Sequence, residues 1–382
     1  TGTSQTWDIG SYNYFNMGTL SGNTTVAFSN VPTEASWEFK VKGSQTDTAW
    51  DLTNDGFTQS VNLYDVAVAG GFTPYSAYSA SQGIFFKTDG TECYKVFQRE
   101  VIQYTLSTAW RLDTATYTGN FDYNASGASV NNYPKGIFFK DDGTKMFLAG
   151  DAGTYDGVDE YTLSTAWDIT TASWVDFTNL DSLASRANSD PRGLFIGNSG
   201  TKLYVTHAGN NGSTEGLWEF TLSTAWDASS ASYTRNYDFS SDTGVTITGY
   251  GQRGIWFKSD GTQMYFLSPH SSQVSIYNLS TAWDISTATL SSVGNKDNNG
   301  WDFFISADGT KFFLGSYTGS VTRLDNASKN TLTFPTSVNI DGLSNANNVI
   351  TPSVGYEYLY RMVTSNGGTN VTNINVGSVN LS

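Results

Sequence analysis

Trp37-Glu38-Phe39-Lys40-Val41-Lys42 alternates apolar and charged residues. A period of two predicts a strand with one face buried and the other wet. The commoner pattern in the chain is a pair of short apolar runs. Gly136-Ile137-Phe138-Phe139-Lys140 and Lys145-Met146-Phe147-Leu148 flank the turn Asp141-Asp142-Gly143-Thr144. Runs of this length predict a hairpin of strands covered on both faces, with Gly supplying the positive φ of a tight turn. The hairpin recurs at 83–96, 193–205, 254–267 and 301–314. Its turn recurs as Asp89-Gly90, Asp260-Gly261 and Asp308-Gly309, and once as Ser199-Gly200. As a calcium loop the Asp-Gly pair is poor, because it lacks the dense carboxylate ladder such loops need.

A second motif keeps the same beat. Ser164-Thr165-Ala166-Trp167-Asp168 has near-copies ending at Trp110, Trp226 and Trp283, and a fifth in Asp47-Thr48-Ala49-Trp50-Asp51. The five Trp are spaced by 60, 57, 59 and 57 residues. Each unit then reads as a hairpin, a third strand such as 159–163, and a run led by the Trp, such as 168–174. Four antiparallel strands per unit at this period predict an all-β fold, a β-propeller of four-stranded blades. The chain enters the repeat on the run 50–63 and leaves after a third strand at 319–326. The N-terminal strand is therefore expected to close the last blade, which makes five blades and leaves no open edge. Trp50, Trp110, Trp167, Trp226 and Trp283 are expected to start the outer strands and to pack between neighbouring blades or cap their edges.

Residues 1–43 and 331–382 do not carry the repeat. Strand patterns at 37–42, 331–335, 356–363 and 371–376 cannot bury a core on either flank alone, since two or three isolated strands are marginal. Together the flanks predict one small β-sandwich, discontinuous in sequence, with the five-bladed propeller (44–330) inserted in it. The first flank, in Tyr14-Phe15, Gly22-Asn23-Thr24-Thr25, Phe28-Ser29-Asn30 and Pro32, resembles the first half of a module common in bacteriophage tail fibres and other virion appendages. Thr333-Phe334-Pro335-Thr336-Ser337-Val338, the strand at 358–363 and Ser365-Asn366-Gly367-Gly368-Thr369 resemble its second half. The repeat units are similar to those of marine phage structural proteins. The resemblance implies a non-enzymatic fibre or capsid-decoration protein at the virion surface. Its sandwich would join other virion proteins or identical copies in a homo-oligomer, and its propeller would contact the host surface, a glycan included. A polysaccharide-degrading virion enzyme and a secreted cellular adhesin are the alternatives.

Composition adds exclusions. A net charge of −15 over 382 residues argues against nucleic acid and anionic membrane as partners. One cysteine, Cys93, excludes an intrachain disulfide and a cysteine-rich zinc site. No apolar run is long enough to span a membrane, and no secretion signal is visible. The chain opens on Thr1, as a processed or excised chain would. His207 and His270 stand apart in sequence, which argues for structural roles and against a metal site. No catalytic or cofactor motif emerges, so catalytic residues and cofactors are assigned as none.

One set of positions invites a ligand. Gln82, Lys135, Arg192, Arg253 and Trp301 occupy the same place just before the first strand of each hairpin. They are expected to ring the channel mouth on the face of variable connections, with Tyr133 and Tyr250 in the adjoining loops. Three cations there suit an acidic glycan or a carboxylate. The competing reading pairs them with neighbouring loop aspartates.

Overall fold

In the computed structural model the described residues are 3–19, 24–42, 58–74, 82–123, 133–151, 156–186, 189–208, 216–239, 242–245, 254–268, 273–295, 300–309, 311–325, 332–334, 338–340, 349–350, 356–364 and 371–380. They divide into two compact units, Leu52–Asp325 and the pair Thr1–Asp51 with Asn326–Ser382. The protein is mostly β.

Among the described residues the larger unit holds five four-stranded antiparallel sheets. The first is Ile84–Phe86, Glu92–Phe97, Glu100–Leu106 and Ala115–Asp122. The second is Tyr133–Phe139, Lys145–Asp151, Asp156–Leu163 and Ala172–Asn179. The third is Pro191–Gly197, Lys202–His207, Gly216–Leu222 and Ala231–Tyr237. The fourth is Ile255–Phe257, Gln263–Ser268, Gln273–Leu279 and Ala288–Asn295. The fifth takes Gly300–Ile305, Lys311–Ser316 and Ser320–Asp325, and its fourth strand, Thr58–Asn62, comes from before the first sheet. Val321 there faces Val61, and Arg323 faces Gln59.

The repeated Trp does not start a strand. Trp110, Trp167, Trp226 and Trp283 have φ of 66°, 68°, 62° and 66°, in the left-handed region. A 3-10 turn follows each, such as Ile169–Thr171, before the fourth strand begins. The reason lies in the hairpin turn of the same unit. The backbone N–H of each Trp donates to the carbonyl of Gly90, Gly143, Gly200 or Gly261, at 2.8, 3.0, 2.9 and 3.0 Å. The indole then lies flat on that glycine, where a Cβ would come within 2.2–2.4 Å of ring atoms. Gly is needed twice over, for its positive φ and for its missing side chain. Asp168, Asp227 and Asp284 accept the backbone N–H two residues on and so start the 3-10 turn. Trp50 lies outside the described residues.

Two short helices depart from the all-strand expectation. Among the described residues of the run 50–63, Thr58–Asn62 is strand and Leu63 begins the helix Leu63–Ala69, with the Asn62 side chain accepting from Tyr64 N. Leu180–Ala184 forms a second helix in the connection at 179–190, capped by Asn179. Asn ahead of an apolar residue is a helix start that strand periodicity conceals.

The first strands of the sheets meet through one aromatic residue each. Phe85 meets Phe138 at 5.3 Å between ring centroids, Phe138 meets Phe195 at 5.0 Å, and Phe195 meets Trp256 at 5.1 Å. Trp256 meets Phe304 at 4.6 Å, and Phe304 returns to Phe85 at 5.2 Å. All five contacts are edge-on, with interplanar angles of 60–78°. Edge-to-face contact sets a positive ring edge against a negative face, so such a circuit is self-supporting. Each repeated Trp stacks on the circuit member of the preceding sheet: Trp110 on Phe304, Trp167 on Phe85, Trp226 on Phe138 and Trp283 on Phe195. The preceding sheet also binds each Trp carbonyl, through Arg323, Tyr94, Lys145 and Tyr204 in turn.

The smaller unit has two sheets. One orders Thr3–Asp8, Thr24–Ser29, Leu332–Thr333 and Val349–Ile350; the other orders Tyr14–Thr19, Ala35–Lys42, Tyr356–Thr364, Val371–Asn380 and Val338–Ile340. Both flanks supply both sheets. Trp7, Val26, Trp37, Phe39, Phe334, Tyr360 and Met362 share one buried core, with Trp7 stacked on Phe15 at 4.7 Å. Among the described residues no helix is long and apolar enough to cross a membrane.

Candidate functional site

The candidate mouth residues sit three positions ahead of the aromatic circuit, at the strand ends opposite the Trp turns. Gln82 is buried. Lys135 lies in the second sheet where the pairing slips between Pro134 and Gly136, and Arg192 lies in the third at the matching slip between Pro191 and Leu194. Such bulges re-aim side chains at a sheet edge. Both cations donate to one carboxylate, that of Asp190: Lys135 Nζ to Oδ1 and Arg192 Nη2 to Oδ2. Asp190 has φ 52°, a left-handed conformation that Asp tolerates better than most residues. Its backbone N–H donates to Asp156 Oδ2 at 2.7 Å. Burial raises the Asp190 carboxyl, but Lys135 and then Arg192 outweigh it and hold the group below the ordinary carboxylate range.

The two described cations are thus paired to a loop aspartate across two sheets. Arg253 and Tyr250 lie outside the described residues, as does the Tyr133 side chain. Trp301 is already within a strand and stacks on Tyr317, with centroids at 4.4 Å. Tyr123, just after the fourth strand of the first sheet, is fully buried and donates to Phe97 O at 3.0 Å. Asp190 and Asp156 had no signal in the repeat, because the connections that carry them differ from unit to unit.

The remaining chemistry is inward. His207 is fully buried, stacked on Trp218 at 4.3 Å, with Nε2 on Asn236 Oδ1 at 2.8 Å. Burial lowers its pKa to about 4, with Asn236 opposing, so the ring is neutral at pH 7. His270 lies outside the described residues. The buried Cys93 thiol is pushed up by desolvation and stays protonated. Among the described residues no group of three or more His, Cys, Asp or Glu is placed to hold a metal ion.

Lys95 and Asp302 were missed by sequence reasoning. Lys95 is fully buried in the second strand of the first sheet, and its Nζ donates to Gln82 O at 2.7 Å. Burial pulls the ammonium down to about 7, while Asp302 and Cys93 push the other way. Asp302, also buried, lies in the first strand of the fifth sheet and accepts the Ile84 N–H through Oδ2 at 3.0 Å. A signal was present: Lys95 stands where the other units carry Leu148, Val205, Phe266 and Leu314, each paired opposite the residue that follows the hairpin glycine or its replacement.

No family model matches the chain, and no curated protein matches it. Solved structures do. Hydrazine synthase of Kuenenia stuttgartiensis is 14% identical, with 64% of this chain and 71% of that one covered and a TM-score of 0.39. A candidate 6-phosphogluconolactonase of Bacteroides uniformis is 14% identical, with 70% of each chain covered and a TM-score of 0.37. The periplasmic gluconolactonase of Pseudomonas aeruginosa is 12% identical, with 79% and 85% covered and a TM-score of 0.36. This comparison counts against the expectation of a non-enzymatic virion structural or appendage protein. The similar structures are gluconolactonases and a hydrazine synthase, with no phage tail-fibre protein among those named. At these identities none of their activities transfers to this chain.

Proposed function

We propose that the larger unit is a closed five-bladed β-propeller and that it works as a binding module, not as an enzyme, receiving a small carboxylate at its mouth. The aromatic circuit, the fourth strand lent by Thr58–Asn62 and the Trp stacking support the closed ring. Lys135 and Arg192, each bonded to a different oxygen of Asp190, carry the ligand class. Two cations from adjacent sheets, fixed on one carboxylate by packed strands, form a cradle whose chemical preference is already displayed by its resident. Asp190 is the chain's own occupant, and a ligand carboxylate takes its place.

Calorimetric titration with malonate tests this. Asp190→Asn removes the resident charge and keeps a side chain that accepts the left-handed backbone. Malonate should bind this variant about tenfold more tightly than the unaltered protein, and Arg192→Gln added to it should abolish binding. No binding to Asp190→Asn overturns the ligand class. Hydrolysis of gluconolactone above the spontaneous rate, lost on Arg192→Gln, overturns the non-enzymatic reading.

A further inference from the structure

Two departures from the internal repeat fall on the same joint. The residue two positions ahead of the aromatic circuit is Gly83, Gly136, Gly193 and Gly254 in four units and Asp302 in the fifth. At Gly136 a Cβ would stand 2.3 Å from Arg192 O of the next sheet, and at Gly254 2.3 Å from the Phe303 ring. At Gly83 the nearest neighbours are 3.0–3.1 Å away, Ile137 and Lys135 O of the next sheet among them. These joints have little or no room for a methyl group. The joint from the fifth sheet to the first holds a whole carboxymethyl group, and its carboxylate reaches the Ile84 N–H.

The other departure fills the same place from the opposite side. Lys95 replaces an aliphatic or aromatic residue, and a Cβ on Gly315 of the fifth sheet would lie 2.9 Å from its Nζ. This ammonium donates to Gln82 O, and the Asp302 carboxylate and the Cys93 thiol act on it electrostatically. The first strands of the two sheets are separated by most of the repeat, and the chain crosses this joint through 63–83, the longest of the five connections. A polar pair buried between apolar neighbours gives little net stability but is costly to break on one side only.

We propose that Asp302 and Lys95 form a polar latch on which the ring closes, and that this joint opens before the other four. The latch rests on the closed-ring reading. It makes the first sheet recognise the fifth, and not the edge of another sheet of the ring, because among the described residues this is the joint where an aspartate takes the place of the glycine and a lysine that of the apolar residue.

Hydrogen exchange of the full chain, read by mass spectrometry, tests it. Peptides covering 82–86 and 300–305 should exchange about tenfold faster than those covering 136–139 and 193–197. Lys95→Leu or Asp302→Gly alone should raise exchange at 82–86 further and lower Tm by about 5–10 °C. The double variant carries the residues of the other units, and should lose less than the two single losses added together. Additive losses, or unchanged exchange at 82–86 in Lys95→Leu, overturn the latch. If Asp302→Gly does not fold, Asp302→Asn keeps an acceptor for the Ile84 N–H and removes only the charge. It too should quicken exchange at 82–86, and its failure to do so overturns the latch. If the ring itself is open, 58–62 and 320–325 exchange rapidly in every variant, which separates failure of the ring from failure of the latch.

Discussion

The joint between the first and second sheets and the joint between the fifth and first solve one packing problem with different chemistry. At the former, Gly83 packs close to Ile137 and Lys135 of the next sheet, Trp167 stacks on Phe85, and the Tyr94 hydroxyl donates to Trp167 O at 2.7 Å. At the latter, Trp110 stacks on Phe304 in the same manner, and Arg323 Nη1 donates to Trp110 O at 3.0 Å. There the match ends, because Asp302 and Lys95 occupy the gap. Close glycine contact suits sheets that the chain delivers side by side. Three strands of the fifth sheet lie far in sequence from the first, and loop closure over that separation carries an entropic cost. Directional polar contacts pick out one partner where apolar surface alone would accept several.

The sharpest way to break the shared part of this comparison is Trp167→Ala. It removes the indole from Gly143 and from Phe85 together, and should destabilise the protein by about 3 kcal/mol. A thermal melt unchanged from the parent would mean that the turn stands without its cover.

Gly136→Ala addresses the part that differs. Its methyl group meets the Arg192 carbonyl, and overpacking of this kind should cost about 2 kcal/mol. Chemical denaturation that finds the variant as stable as the parent would show that the joint between the second and third sheets yields, and would remove the contrast with the fifth-to-first joint.

The smallest effect is one of pH. The Lys95 ammonium has a folded pKa of about 7 against an ordinary value of 10.5, so above pH 7 the unfolded chain binds the extra proton. Stability therefore rises with pH above 7, and below 7 this group contributes no slope. Denaturation midpoints should rise from pH 7 to 9, and Lys95→Leu should abolish the rise. An equal gain in that variant would assign the titration to another group.

Much of the fold was legible because repetition averages out local ambiguity. A single apolar run such as 146–148 could be strand or helix; five of them at one spacing, each after a Gly turn, could not. The helices at Leu63–Ala69 and Leu180–Ala184 occur once each, and nothing reinforced their capping signals. The candidate site was legible in half. The positions of Gln82, Lys135, Arg192 and Trp301 follow from the register of the repeat. Asp190, which claims two of them, sits in a connection that no other unit shares.

The sequence by itself determined the unit, its turn and the place of its Trp, since these depend on residues near in the chain: a glycine with positive φ, an indole to cover it, apolar runs of strand length. Lys95 and Asp302 stand in the sequence as departures from the repeat, but nothing there connects them. Only the tertiary structure decided that the two exceptions meet, that one carboxylate holds two cations, and that five aromatic rings close on one another. Each of these brings together groups from different sheets, and their separation in space depends on how the sheets pack on one another, a quantity that no local pattern encodes.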